Sequence, residues 1–388
     1  MSSQLFESQN WSATKEALLE GLDGNKKAVM ETTLENTRKY LSESVSAGAT
    51  SSGNVAVLNK VILPVIRRVM PTVIANEIVG VQPMTGPVGQ IHTLRVRYAQ
   101  TANGATAGEE ALSPFKIAEA YSGAASGKAA ATSALEGEAG NKLSIQVLKQ
   151  TVEAKTRKLS ARWTFEAAQD AQAMHGLDVE AEIMAALAQE ITAEIDQEVI
   201  GSLLSLAGTA VSTFDMSGGS FTGTPTYVGD RHAVLAILIN NAANLIAQRT
   251  RRGAGNYVVV SPTALTVLQS ATTSAFARTT EGTFEAPTNT KFVGTLNSSM
   301  RVYVNSYANE TSPVLVGYKG PNEMDAAAFY CPYIPLMSSG VVLDPTTFEP
   351  VVSFMTRYGY VELTNTASSL GNAADYVAKI AMANISFQ

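Results

Sequence analysis

The sequence predicts an α+β fold, and three stretches carry that prediction. Leu177 to Ile200 holds neither Gly nor Pro, and apolar residues at Met184, Leu187, Ile191, Ile195, Val199 and Leu203 recur every three or four positions. That spacing lines one face of a helix. Ile91 to Tyr98 alternates as a strand does, with Ile91, Thr93, Arg95 and Arg97 on one side and His92, Leu94, Val96 and Tyr98 on the other. Past residue 229, strand-like runs at Tyr257–Val260, Met300–Val304, Val314–Tyr318 and Val351–Leu363 mix with helical patterns.

In chain order, residues 12–45 read as two short helices. Ser12 caps the first, which holds Leu18 and Leu19 and breaks at Gly21 to Gly24. Asn25 caps the second, with Val29, Leu34 and Leu41 on one side. SAGATSSGN at 46–54 is a flexible linker. Val55 to Ile78 is apolar but interrupted by Pro64 and Pro71, so it makes short helices or an extended arm, with Arg67 and Arg68 as a basic spot. Pro83, Gly86, Pro87 and Gly89 make turns. Ala99 to Asn141 is rich in Ala, Gly, Ser and Thr and poor in large apolar residues. It reads as a projecting loop or hairpin without a core, returning through Leu143 to Arg162, with plain disorder as the alternative.

Asp178 is the N-cap expected for the long helix, and Glu180 and Glu182 suit its positive end. At 1.5 Å per residue it spans roughly 40 Å. Val211 to Gly229 is a second Gly/Ser/Thr segment. His232 to Arg249 follows as a helix bearing Val234, Leu235, Leu238, Leu245 and Ile246, and Arg251 to Asn256 turns the chain. Ser261 or Pro262 starts a further helix continued by Leu265, Leu268 and Ala271.

The totals exclude several function classes. With 388 residues, 45% of them hydrophobic, the chain is long enough for two domains. No apolar run reaches the ~18 residues of a membrane span. MSSQLFESQN has neither the basic start nor the apolar centre of a secretory signal. Cys331 is the single cysteine, so no intrachain disulfide forms, and it reads as a structural residue. His92, His175 and His232 lie too far apart for a metal-ligand spacing, and His175 reads as a capping or packing residue. Gly253-Ala254-Gly255 follows a helix and precedes a strand, the wrong order for a dinucleotide turn. Gly219-Ser220-Phe221 lacks the second glycine of a nucleophile elbow. Glu190, Glu194 and Glu198 form one stripe rather than a cation cage. No catalytic residue, cofactor or metal is expected.

Charge is unevenly placed. Residues 1–162 carry 18 basic against 14 acidic residues, and residues 163–388 carry 10 against 20. No Lys or Arg lies between Arg162 and Arg231, whereas Lys149, Lys155, Arg157, Lys158 and Arg162 stand just before the helix. The acidic face is either solvated or covered by basic segments from elsewhere, and such charges pair within a molecule or between copies. A strongly basic nucleic-acid face is not indicated.

Five segments in order resemble the major capsid protein of T4-like tailed phages, which has the HK97-like capsid fold. They are VMPTVIANEIVGVQPMTGPVGQIHTLRVRY (69–98), VEAKTRKLSARWTFEAAQDAQAMHGLDVEAEIMAALAQEITAEIDQEVI (152–200), RRGAGNYVVVSP (251–262), VGYKGPNEMDAAAFYCPYIPL (316–336) and DPTTFEPVVSFMTRYG (344–359). The resemblance implies an N-terminal arm at 1–75, with a propeptide-like helical region at 1–43, and a P-domain entry strand at 76–98. It further implies an E-loop at 99–155, a P-domain with its spine helix at 156–228, an A-domain at 229–365 and a C-terminal return at 366–388. The 99–155 stretch is too short for the inserted domain that a family member carries there.

The implied function is structural. Copies assemble into hexamers, with pentamers left open, forming an icosahedral shell around double-stranded DNA that is held without sequence-specific binding. The protein is assembled in the bacterial cytoplasm and located in the virion, away from membranes. Vertex, portal, scaffold and decoration proteins are the implied partners. A family-type cleavage would follow Leu41-Ser42-Glu43, before Ser44; Leu18-Leu19-Glu20 also fits that pattern, and the expectation adopted is an uncleaved chain. Basic residues among Arg67, Arg68, Lys155, Arg157, Lys158 and Arg162 are expected to contact acids of an adjacent subunit, among them Glu180, Glu182, Glu190, Glu194 and Glu198. An encapsulin-type compartment and a soluble α/β enzyme are the competing readings.

Overall fold

The structure is a computed structural model. It describes residues 15, 19, 24, 27–36, 74–109, 111, 118–137, 140–175, 178–217, 227–271, 276–278, 291–297, 299–323, 325–362 and 373–385. The chain divides into two compact units, one of residues 1–89, 152–199 and 329–361, the other of residues 90–151, 200–328 and 362–388.

The first unit is built on a five-stranded sheet. Strands β1 (Gly80–Val81), β11 (Ala328–Ser338), β13 (Pro350–Glu362) and β12 (Val342–Leu343) follow one another, and β4 (Lys155–Arg162) also pairs with β13. β11 lies outside the strand-like runs read from the sequence; Pro332 and Pro335 interrupt AFYCPYIPLMS, and proline has no N–H for a ladder. The structure uses Pro332 as an acceptor: its carbonyl takes the Met84 N–H at 3.0 Å, beside the parallel pairing of Gly80 with Phe329 and of Val81 with Tyr330. β4 runs antiparallel to β13 from Arg162 opposite Val351 to Lys155 opposite Tyr358. Along β13, Val352, Phe354, Thr356 and Tyr358 are buried at alternate positions.

The long helix runs Val179–Leu206. Asp178 caps it: its Oδ1 accepts from the N–H of Glu180 at 3.1 Å and of Ala181 at 3.4 Å. Leu187, Ile191, Ile195, Val199 and Leu203 are buried, and Met184 is half-buried. A separate helix, Phe165–His175, precedes it. Near the N-terminus, residues 27–36 are helical and bury Val29, Met30 and Leu34. Asn36 ties that helix to the sheet, its Nδ2 donating to the carbonyls of Met84 at 2.7 Å and Tyr333 at 3.0 Å. Leu41, the 46–54 linker and Arg67 and Arg68 lie outside the described residues.

The second unit carries a seven-stranded sheet in the order β5 (Ser212–Asp215), β14 (Val377–Ala383), β10 (Val314–Gly317), β6 (Tyr257–Val260), β9 (Met300–Val304), β8 (Lys291–Leu296), β7 (Phe276–Arg278). It is mixed: β6 with β9 and β14 with β5 are parallel, and the rest antiparallel. The helix Val228–Thr250 packs Leu235, Ile239, Ala242 and Ile246 into one core with Val258, Val302, Val316 and Ile380. Ser261 caps the helix Pro262–Gln269, its Oγ accepting from the Ala264 N–H at 3.2 Å. Gly253 and Gly255, the dinucleotide-turn lookalike, serve packing: a Cβ would meet the Tyr318 ring at 2.6 Å and Ala243 Cβ at 3.2 Å respectively.

This unit also holds a ribbon of β2 (Val88–Tyr98) and β3 (Leu143–Glu153). The expected coreless excursion has a small core after all. Tyr98, Ala105, Ala111 and Tyr121 are buried together, the two tyrosine rings 4.5 Å apart. Tyr121 donates its hydroxyl to the Lys142 carbonyl, and Asn141 donates to the Tyr121 carbonyl, each at 2.6 Å. Two aromatic rings among small residues supply the burial that aliphatic residues supply elsewhere.

At Gly317, within β10, a Cβ would collide with the buried ring of Tyr257. Gly317→Ala is therefore expected to destabilise the chain by about 1–3 kcal/mol, read as a lower Tm. Equal melting of variant and wild type would count against the close approach.

Candidate assembly surface

The residues singled out by charge come together on the first unit. Strand β4 alternates Arg157, Leu159 and Ala161, half-buried, with the exposed Thr156, Lys158, Ser160 and Arg162. Its register on β13 sets Arg157 opposite Thr356, two residues from Tyr358. On the long helix Glu194 and Glu198 are one turn apart and share a face.

Arg157 joins these elements with all three of its nitrogens. Nη1 donates to Glu194 Oε2 and Nη2 to Glu198 Oε2, both at 2.6 Å, and Nε donates to the Tyr358 hydroxyl at 2.5 Å. Tyr358 in turn donates a short hydrogen bond to Glu198 Oε2. A planar fork suits such a site better than a lysine ammonium. Burial alone would raise the Glu198 pKa, yet the hydrogen bonds from Tyr358 and Arg157 and the charges of Arg157 and Lys155 outweigh it and hold it below the usual carboxylate value. Burial works against the Arg157 cation, but bonding to Glu198 and Tyr358 raises its pKa. The Tyr358 hydroxyl is pushed up by burial and by Glu198.

Asp196, two residues before Glu198, has the opposite environment. It is 1% exposed. Its Oδ1 accepts from the Ile74 N–H at 2.8 Å, and among the described residues its Oδ2 has no partner. Burial pushes its pKa up to about 7, against the pull of the Ile74 bond.

Some of the residues expected to pair between copies have partners within the chain. Arg157, Glu194 and Glu198 are partnered within the chain, because the register of β4 on β13 carries the guanidinium across to the helix. Arg162 also reaches Glu349 of the same chain, at 3.7 Å. Lys155, Lys158, Glu180, Glu182 and Glu190 are exposed. Arg67, Arg68, Leu41, Glu43 and Ser44 lie outside the described residues.

Sequence reasoning missed the roles of Tyr358 and Asp196. Asp196 stands four positions from Ile200 and three from Val199, on the inward side of the helix, and that spacing was the available signal. Nothing local tied Tyr358 to residue 198.

Cys331 is buried, and burial pushes its thiol up to about 12, as suits a structural cysteine. His232 is also buried, its Nδ1 2.7 Å from the Ser270 hydroxyl. Among the described residues no group of acidic, His and Cys side chains could hold a metal ion, and no helix is long and apolar enough to cross a membrane.

Exposed apolar residues mark a second feature. On β3, Leu143, Ile145 and Val147 occupy alternate positions and are 53%, 69% and 59% exposed. Alternation puts them on one face of the ribbon.

The model of the family described as "Major capsid protein Gp23" matches residues 55–136 and 115–384. A protein named major capsid protein from Vibrio phage KVP40 is 29% identical over 90% of this chain and 85% of its own length. The protein of that name from Enterobacteria phage T4 is 31% identical over 82% of this chain and 78% of its own length. Among solved structures, one titled Mycobacterium phage Bobi aligns with a TM-score of 0.48 and 13% identity, covering 79% of this chain and 89% of the other. One titled the capsid of Myoviridae Phage XM1 aligns with a TM-score of 0.43 and 11% identity, covering 78% and 89%.

Removing the Arg157 fork takes the Arg157 bond from Glu194 and leaves Glu198 with the Tyr358 hydroxyl alone. Arg157→Ala is expected to cost about 1–2 kcal/mol at neutral pH, allowing for solvent screening at partly exposed groups. The folded-state pKa of Glu198 is depressed, so its share of that stability is present above the ordinary carboxylate pKa and is lost as pH falls through the folded value. Urea unfolding of both chains from neutral to acid pH should show the difference shrinking; a constant difference would assign it to lost packing instead.

Proposed function

We propose, on the premise that this chain belongs to the Gp23 major capsid protein family, a specific way in which its copies build a shell. The protein is a structural component of the phage head, located in the virion capsid, where it self-assembles; it is not an enzyme. Family membership sets aside the encapsulin and enzyme readings.

In the proposed shell, copies form hexamers, with pentamers open, around double-stranded DNA. Residues 1–75 act as the arm, 76–98 as the entry strand, 99–155 as the E-loop, 156–228 and 366–388 as the P-domain and 229–365 as the A-domain. Vertex, portal, scaffold and decoration proteins are the further partners. The observation that carries this reading is the exposed stripe of Leu143, Ile145 and Val147. A neighbouring copy laid over it removes apolar area from water at about 25 cal/mol per Å². Arg67, Arg68, Lys155, Lys158 and Arg162 face Glu180, Glu182 and Glu190 of a neighbour. Each such pair is worth about 0–1 kcal/mol and is repeated throughout the shell. The chain keeps residues 1–43.

Three measurements test this. Wild-type chain expressed alone and with the head scaffold is expected to sediment as shells under at least one condition; only monomers and dimers under both would overturn the assembly mode. Ile145→Asp should melt like wild type and fail to form shells, and its normal assembly would remove the stripe while leaving the shell. The intact mass of the protein from particles should include residues 1–43, and loss of that mass would establish cleavage after Glu43.

A further inference from the structure

Among the described residues of the first unit, one carboxyl group has no base to answer it. Asp196 offers Oδ1 to the Ile74 amide at 2.8 Å, and its Oδ2 is buried without a partner among the described residues. Around Ile74 the described chain is buried at Ile74, Ala75, Ile78, Val79, Val81 and Met84, and it pairs as β1 on β11. The bond to Asp196 therefore holds the backbone just ahead of these buried residues.

The ionisable groups on the surrounding elements do not neutralise it. The 74–84 run itself brings Glu77. β11 brings Tyr330 and Cys331, both buried, and the field of Asp196 acts on Tyr330, whose hydroxyl burial keeps neutral. β13 brings Tyr358 and Arg357, the latter over the Tyr333 ring. β4 brings Arg157, engaged by Glu194 and Glu198, with Lys155 and Lys158 exposed. Helix 27–36 brings Lys27, exposed, and Glu31 and Glu35, both paired with Lys15 at 2.9 Å.

We infer that Asp196 makes the docking of residues 74–84 proton-dependent: the protonated acid holds the run in place, and ionisation loosens it. Docked, an ionised Asp196 is a buried charge with one hydrogen bond. Undocked, it reaches water and ionises as an ordinary carboxyl group. The docked pKa lies above the undocked one, so docking is strongest below the ordinary carboxylate range. It weakens as pH rises, and the loss is complete above about 7. The joint is thus at its weakest at neutral pH, where segment 74–84 is poised to open.

Hydrogen–deuterium exchange of the full chain, read on peptides covering 74–84 at about pH 5.5 and about pH 8, tests this once intrinsic exchange rates are divided out. The open fraction in wild type should rise at least about tenfold over that interval. In Asp196→Asn it should not change, while Glu190→Gln should follow wild type. A pH-independent open fraction in wild type, or a wild-type slope in Asp196→Asn, overturns the inference. Should Asp196→Asn fail to fold, infrared spectroscopy of wild type reads the same titration. The band of a buried protonated carboxyl is expected at about pH 5.5 and gone at about pH 8.5, and its absence at the lower pH overturns the inference equally.

Discussion

One guanidinium ties the long helix to the sheet. Arg157 stands on a strand, its three nitrogens reach Glu194, Glu198 and Tyr358, and Tyr358 closes the ring by donating to Glu198. An isolated surface ion pair contributes little. This one is a connected set on three elements, in which every polar group named has a partner, so its members orient one another. The constraint is geometric as much as energetic. The fork fixes the register of β4 against the helix, and β4 in turn is zipped along β13 over eight pairs.

The same helix shows what happens without that answer. Glu198 and Asp196 are two residues apart, and burial acts on both. Glu198 meets a cation and a hydroxyl, and its carboxylate is held ionised. Asp196 meets one backbone amide, and burial raises its pKa instead. Two acids of similar chemistry are driven apart by their neighbours, as competing desolvation and pairing require. For a protein that assembles from identical copies, the consequence is a rigid connection beside a labile one, within one turn of a single strut.

Much of the fold was legible beforehand. The long helix, its Asp178 cap, the Tyr257–Val260 and Met300–Val304 strands and the Ser261 cap all rest on local rules, and local rules survive folding. β11 was not read from the sequence: two prolines interrupt it, and pairing with β1 and β13 on either side makes it a strand. The tyrosine core of the excursion was missed for a related reason: Tyr98 and Tyr121 look isolated in sequence and meet only in space.

By itself the sequence determined the class of fold, the inward stripe of the long helix, the absence of catalytic motifs and the capsid family, because periodicity, caps and extended sequence similarity are written residue by residue. It also determined that a basic segment precedes an acidic helix. Only the tertiary structure decided that Arg157 and its acids belong to one chain, and that Asp196 is buried while Glu198 is paired. Those outcomes depend on which side of a strand faces which turn of a helix, a relation between elements over thirty residues apart that no local pattern encodes.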